Sequence, residues 1–510
     1  MLTNNDDVFG QIKMLNYLYY MSKKYSRKDF LRTGSLAAAG LLLGACGNDP
    51  VEKKEGAINE IPVDTLAASG PVEENFDVDI MEKEGDSRYE EFRLGFNKRI
   101  NKYPLAIALP STTAEVAEAV RYARHHNYPI AIRSGGHSME GFSSNDDGLM
   151  INLSKMNSVE FLEDNKIKVG PGCTLSNLYD QILPKGRIIP AGSCGSVGVG
   201  GLTTGGGYGL FSREFGLTCD HLIEATMVDG NGKIISSKDD AELLWALRGG
   251  GSGNFGIVTE MVFRSHEAPP NMISHHFKAR KLDPDRATGI LEKWMFHTKN
   301  LPSSCFSAYV LNGGTLNILL TNFAEEDNEG VESFIEGLKG ETDEYKKGER
   351  LELAKKLKNY YGSKVPLNFR NSSAGFYRDF DHISGCIDKV LKNIIDNKGM
   401  IFQVNTLGGK VKDQLFANDS CFPHREYDFI SEIQAYWTEP YKEMGLQEVT
   451  RDCLGLLKAN NINAQYFNYC SVEFADWETA YYGKNYEQLK EIKRRYDKDN
   501  FIRHPQSIKI

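Results

Sequence analysis

A histidine and a cysteine, each embedded in a run of glycines, constrain this chain more than any other feature. His137 sits in Arg133-Ser134-Gly135-Gly136-His137-Ser138, and Cys194 in Ala191-Gly192-Ser193-Cys194-Gly195-Ser196-Val197-Gly198-Val199-Gly200-Gly201. Glycine has no Cβ and tolerates positive φ, so such runs let backbone approach backbone, or a large ligand, closely. Glycines stay dense through Gly205-Gly206-Gly207-Tyr208-Gly209 to Gly256, within a total of 49. Successive backbone N–H groups in a glycine loop also form a concavity that suits anions.

The composition sets outer bounds. At 510 residues the chain is long enough for two domains with substantial cores. Apolar residues make up 41% and charged residues 25%, as in ordinary globular proteins. A net charge of −9 with dispersed basic residues argues against nucleic-acid partners. The 9 cysteines include no Cys-x-x-Cys pair, so no zinc ribbon or redox dithiol is expected, and no metal. Their odd number leaves at least one thiol outside any disulfide.

The N-terminus reads as a targeting segment. Ser26-Arg27-Lys28-Asp29-Phe30-Leu31 supplies a basic stretch, and a short apolar run ends in Leu43-Gly44-Ala45-Cys46. The apolar run is too short to span a membrane by itself. Its ending resembles a bacterial lipobox, which implies a lipid on Cys46 and an exported, membrane-anchored protein. The basic stretch resembles a twin-arginine signal except at Lys28. Met21 is an alternative start to Met1, and residues 47–88 read as a polar tether.

Past the tether, periodicity places the motifs. Residues 103–109 read as a strand, Thr112-Thr113-Ala114-Glu115 as a capping box, and Val116, Ala119, Val120 and Ala123 as one helix face. Residues 129–133 form a strand that delivers the His137 loop. Strands are expected at 149–153 and 166–169, a helix at 174–183, and a hairpin at 223–235 around Asp229-Gly230-Asn231-Gly232. Gly251-Ser252-Gly253-Asn254-Phe255-Gly256 matches Gly-x-Gly-x-x-Gly literally. That fingerprint requires a strand before it and a helix after it, whereas 241–247 reads as helix and 255–263 as strand. The order is reversed, which argues against a dinucleotide-binding Rossmann unit. After residue 268 glycines thin out, and the Lys347 to Lys358 charge run reads as a solvated helix face.

These motifs, together with Cys421-Phe422-Pro423-His424-Arg425 and Tyr466-Phe467-Asn468-Tyr469, closely resemble the berberine bridge enzyme-like flavoproteins over roughly residues 99–510. The resemblance implies an α+β chain with a PCMH-type FAD-binding fold of the vanillyl-alcohol oxidase superfamily. Its FAD-binding domain would span 89–268, an α+β substrate domain on an antiparallel sheet 269–463, and a segment returning to the FAD domain 464–510. It implies FAD held covalently by His137 and Cys194. Arg133, Ser134, Gly135, Gly136, Ser138, Val197, Gly198, Gly200, Gly201, Gly206, Gly256, Val258, Asn500 and Gln506 would complete the cofactor site. Leu202 replaces a histidine common in plant members.

By the same resemblance, Tyr469 is the catalytic base and Tyr466 its assistant, although both also suit a strand core, where aromatics are common. The implied reaction is hydride transfer from an alcohol, including sugar hydroxyls, to flavin. Val197 resembles a position where valine goes with oxygen as acceptor. Two other readings stay open: a dehydrogenase using another acceptor, and a surface-anchored glycan- or ligand-binding protein with a vestigial flavin site.

Overall fold

The computed structural model describes residues 76–363 and 365–510. Residues 1–75, including the basic and apolar targeting runs and Cys46, lie outside the described residues.

The first layer is small and mostly parallel. Strands Ala106–Ala108, Leu149–Asn152 and Ile130–Arg133 run parallel, with Ile80–Glu82 antiparallel at one edge. Helix Thr113–His126 makes the crossover and buries Val116, Ala119, Val120 and Ala123 against the sheet. Thr112 Oγ1 accepts from Glu115 N at 3.2 Å, as a capping box requires. The Glu115 carboxylate returns to Ser111 N at 2.8 Å, one residue earlier than the pattern specifies. Asn127, at φ 55°, ends the helix in the left-handed region.

A second, antiparallel sheet follows, ordered Val159–Phe161, Lys166–Val169, Ile257–Arg264, Leu222–Val228, Ile234–Ser236. The expected hairpin is its edge, with Thr226 opposite Ser236. Helix Leu175–Ile182, capped by the Thr174 hydroxyl, packs Leu175, Leu178, Tyr179 and Ile182 into the core.

The third sheet is wide and wholly antiparallel. Its main path is Glu344–Lys347, Asn271–Arg280, Thr315–Asn322, Cys305–Asn312, Met400–Thr406, Phe429–Tyr436, Phe369–Tyr377. Helices Pro284–Thr298, Ile387–Asp396 and Glu443–Ala459 pack against one another and this sheet. The middle one buries Ile387, Val390, Leu391 and Ile394, the i, i+3, i+4, i+7 spacing of a helix packed on one side. The Lys347 to Lys358 run is not one helix face. Lys347 ends a strand, only Leu353–Leu357 is α-helical, and Lys356 is buried. Leu351–Glu352 pairs with the long strand Asn271–Arg280, and that pairing overrides the helical propensity of the charged run.

The C-terminal segment crosses back over all of this. Tyr466 N bonds Ser373 Oγ on the large sheet at 3.0 Å, Asn468 Nδ2 bonds Leu202 O at 2.9 Å, and Ile508 N bonds Asn254 Oδ1 at 3.0 Å. Lys493 and Asp497, both fully buried, pair at 2.6 Å, and Asp497 also accepts from Phe501 N and Ile502 N. The ion pair therefore fixes the turn that lays Ile502 beside Ile130.

The two glycine runs meet backbone to backbone. A Cβ on Gly135 would lie 2.9 Å from both Gly198 Cα and Ser196 O, and closer still to Gly198 N. No flexible side chain is there to yield, so Gly135→Ala is expected to lower stability by about 1–3 kcal/mol. Gly289, inside helix Pro284–Thr298, has open space where a methyl would stand, with nothing within 4 Å. Gly289→Ala should be neutral or stabilising. Thermal melts of the two variants check the pair, and equal midpoints contradict the loop contact.

Candidate functional site

The meeting of these loops closes one end of a cavity of about 340 Å³, and the large antiparallel sheet closes the other. Strand Ile130–Arg133 ends at the rim and releases Ser134, whose Oγ donates to Pro171 O at 2.5 Å. Gly136 then turns at φ 70°, a conformation glycine adopts without strain. This brings His137 under Phe96, with ring centroids 4.1 Å apart and 19° between planes.

The opposing loop is a tight turn, Val197 N to Cys194 O at 3.1 Å. Further backbone bonds anchor it: Leu175 N to Val197 O, Ser176 N to Gly195 O, and Gly195 N to Tyr361 O. Between the loops Ser196 Oγ stands 2.9 Å from His137 Nε2 and 3.8 Å from Cys194 Sγ. Both side chains, themselves on the cavity wall, thus reach a single hydroxyl.

Most of the residues expected around the cofactor line this cavity: Ser134, Gly135, Gly136, His137, Ser138, Cys194, Val197, Gly198, Gly200, Gly201, Gly256 and Val258. The glycine run at 251–256 lies between helix Ala241–Leu247 and strand Ile257–Arg264, the order read from sequence.

Four expected residues lie elsewhere. Arg133 turns away and donates to Phe92 O, Arg93 O and Leu94 O at 2.7–2.9 Å, so it pins the segment that carries Phe96. Burial lowers its pKa to about 10, still well above neutrality, so the guanidinium stays charged among those carbonyls. Gly206 packs under Phe422 and Tyr466. Asn500 occupies a left-handed turn at φ 49° that the Asp497 carboxylate caps. Gln506 is buried, accepting from Tyr481 Oη at 3.1 Å and donating to Ser471 O at 2.8 Å.

The two tyrosines separate. Tyr469 lines the cavity, whereas Tyr466 does not. The Tyr466 oxygen accepts from Gly207 N, Tyr208 N and Asn468 Nδ2 at 3.0–3.2 Å. Burial still pushes its pKa up to about 12. Burial first, then the charge of Glu432, holds the Tyr469 phenol well above its ordinary value. Tyr469 therefore keeps its proton and suits a donor, which opposes the base role expected for it.

The sheet contributes what the motifs did not show. Gln403 and Asn405 on one strand, Glu432 on the next and Asn371 on the third all line the cavity. Glu432 is 5% exposed and accepts from Asn371 Nδ2 at 2.5 Å. Gln403 Nε2 donates to Asn405 Oδ1 at 3.0 Å. Tyr208 Oη and Asn371 Oδ1 are buried at the cavity with no hydrogen-bond partner among the described residues. A polar ligand would satisfy both. The available signal was strand alternation: Phe402-Gln403-Val404-Asn405 and Ile430-Ser431-Glu432-Ile433 carry polar groups inside apolar strands. His504, at the far side, stacks on Phe142 at 4.6 Å, and burial drives its pKa down to about 3, so it is neutral.

The lining suits a flavin dinucleotide. Glycine backbone free of side chains borders one side, nucleophiles stand at the junction, and the polar groups of Asn371, Gln403, Asn405 and Glu432 line the sheet side. The comparisons agree. A family model described as an FAD binding domain matches residues 104–238, and one described as berberine and berberine like matches 465–509. An uncharacterised FAD-linked oxidoreductase of Bacillus subtilis is 28% identical over 436 residues, covering 83% of this chain and 95% of that one. A chitooligosaccharide oxidase of Gibberella zeae is 26% identical over 454 residues, covering 84% and 91%. In fold, the chain is similar to Physcomitrella patens BBE-like 1, with a TM-score of 0.78, 22% identity, and coverage of 85% and 97%. The chain thus carries segments that match an FAD binding domain and a berberine and berberine like family model, and it is similar to berberine bridge enzyme-like FAD-linked oxidoreductases.

Proposed function

We propose that the chain holds FAD through two covalent bonds, at His137 and Cys194, and oxidises an alcohol, a sugar hydroxyl foremost. One observation carries this reading. Two nucleophiles that line the cavity, from loops far apart in sequence, reach one serine hydroxyl, with Ser196 Oγ 2.9 Å from His137 Nε2 and 3.8 Å from Cys194 Sγ. FAD, when bound, supplies a two-electron acceptor for hydride from the alcohol carbon.

The protein's own part is to bind, orient and take a proton. Glu432 is the group suited to accept the hydroxyl proton, because it is a carboxylate on the cavity wall and Asn371 fixes one of its oxygens. Tyr469 and Tyr208, both held protonated by burial and by the Glu432 charge, donate to substrate oxygens. Gln403 and Asn405 offer amide groups to further hydroxyls, which supports a polyhydroxylated substrate. The relation to an enzyme named chitooligosaccharide oxidase supports the same class. Val197, on the cavity wall, is smaller than leucine and supports oxygen as the acceptor.

Denatured wild-type protein is expected to keep its flavin. Cys194→Ala should keep it through the His137 bond, and the double variant should lose it. Flavin released from the denatured wild type would remove the covalent reading.

Glu432→Gln should slow anaerobic flavin bleaching by glucose, cellobiose or chitobiose by about 10²–10⁴-fold while binding persists. Tyr469→Phe should cost less, and admitting air to the bleached wild type should release hydrogen peroxide. A Tyr469→Phe loss larger than that of Glu432→Gln would return the base role to the tyrosine.

The basic run, the apolar run and Leu43-Gly44-Ala45-Cys46 support export and a lipid anchor at Cys46. Cys46→Ala should then leave the detergent phase in which the wild type collects, and identical partitioning would refute the anchor.

A further inference from the structure

We propose that Ser196 is a proton relay between the two attachment side chains, passing the Cys194 thiol proton to His137 Nε2. The proposal rests on the double attachment argued above.

The geometry is built into the loops. Residues 194–197 form a turn closed by Val197 N to Cys194 O at 3.1 Å, which sets the third residue's side chain near that of the first. The turn is held from outside by Leu175 N, Ser176 N and Tyr361 O. The backbone of residues 196–198 is pressed against Gly135, so the His137 loop and the turn keep one spacing. Phe96, stacked on His137 at 4.1 Å, fixes the plane of the imidazole. Ser196 Oγ is the hydroxyl that reaches both side chains, at 2.9 Å from Nε2 and 3.8 Å from Sγ.

A hydroxyl donates one hydrogen bond and accepts others, so it can take a proton from one side and release its own to the other. The thiolate, not the thiol, is the nucleophile, and an unassisted thiol of pKa about 8.5 is only about 3% ionised at pH 7. In the relay the S–H proton moves to Ser196 Oγ and the Ser196 proton moves to His137 Nε2. One thiolate and one imidazolium result, with no change in total charge and no electrons transferred. The thiolate electron pair then forms the C–S bond to the cofactor. The displaced ring hydrogen leaves as a proton, and the two electrons remaining on the cofactor pass to dissolved dioxygen, yielding peroxide.

A bond from His137 to the cofactor made through Nδ1 would keep Nε2 in place beside Ser196 Oγ. The imidazole can therefore carry that bond and still accept the thiol proton. The arrangement thus orders the chemistry: the histidine bond precedes, and assists, the cysteine bond.

The test is peptide mapping of denatured, trypsin-digested protein for wild type, Ser196→Ala and Ser196→Thr. Ser196→Ala should keep the flavin on the His137 peptide but lose the species joining the His137 and Cys194 peptides by at least about tenfold at pH 7. Incubating the singly linked variant in air at about pH 9, where a thiol ionises unaided, should restore the joined species. Ser196→Thr, which retains the hydroxyl, should behave as wild type. Joined peptides at the wild-type level in Ser196→Ala at pH 7 overturn the relay. So does loss of both bonds with no recovery from threonine or from alkaline incubation, which would mark Ser196 as a loop-shaping residue. A wild type with flavin on one peptide only, or on none, overturns the double attachment itself.

Discussion

The cofactor half of the molecule depends on one backbone contact, that of Gly135 with Ser196 and Gly198. Two loops can share a wall this thin only where neither carries a Cβ at the crossing. Their neighbours obey the same limit. Gly200 lies against Pro171, Gly172 against the backbone at Leu153 and Ser154, and Gly209 against the backbone of Ala191 and Gly192. A lattice of such contacts has little room to yield, since close-packed interiors resist even small volume changes. That stiffness lets His137, Cys194 and Ser196 hold one arrangement although they come from loops anchored on different layers. It also explains why Arg133 faces outward: held by three carbonyls of residues 92–94, it fixes the Phe96 segment from behind and leaves the cavity side to glycine and serine.

The sheet half obeys a different constraint, the cost of a buried charge. Glu432 is 5% exposed and would be expensive there without donors. Asn371 supplies one at 2.5 Å. The carboxylate in turn adds to the effect of burial on the phenols around it, because a nearby negative charge disfavours a second one. Tyr208 and Tyr469 are both raised by burial and next by Glu432. Burial first, and the Glu432 charge second, thus keep both phenols protonated.

The legible and illegible parts of the sequence divide along the same line. Local signals were strong in the glycine-rich half. The Thr112 cap, the helix face of Val116, Ala119, Val120 and Ala123, the hairpin at Asp229–Gly232 and the reversed helix–glycine–strand order at 241–264 all depend on near neighbours. His137 and Cys194 were visible because glycines bracket them. What the sequence did not reveal depends on pairing across strands. Gln403 faces the same side as Glu432 because the register places them opposite each other, and Asn371 opposite Gln434 adds the third strand. Nothing local states that register. The charge run at 347–358 misled for a similar reason: pairing of Leu351 and Glu352 with Met272 and Asn271 breaks a segment whose composition favours a helix. Gln506 and Asn500 resembled ligand residues, yet they fold the C-terminal turn.

Tyr466 shows how the two halves are joined. It and Tyr469 flank a single 3-10 turn, Phe467–Tyr469, and their rings meet edge-on at 5.1 Å. With three residues per turn, positions three apart share a side of the helix, yet the environments at the two phenol oxygens differ completely. The Tyr466 oxygen collects two backbone N–H groups from Gly207 and Tyr208, holding the second glycine run from the C-terminal segment. It also accepts from Asn468, whose amide bonds Leu202 O on helix Val199–Thr204 just after the Cys194 turn. Tyr208, held in this way, lines the cavity together with Tyr469 and Glu432. Tyr466 thus acts on the site through Tyr208 rather than through any proton of its own. The C-terminal segment fixes, through one phenol oxygen and one amide, where the nucleophile loops stand relative to the polar face of the sheet.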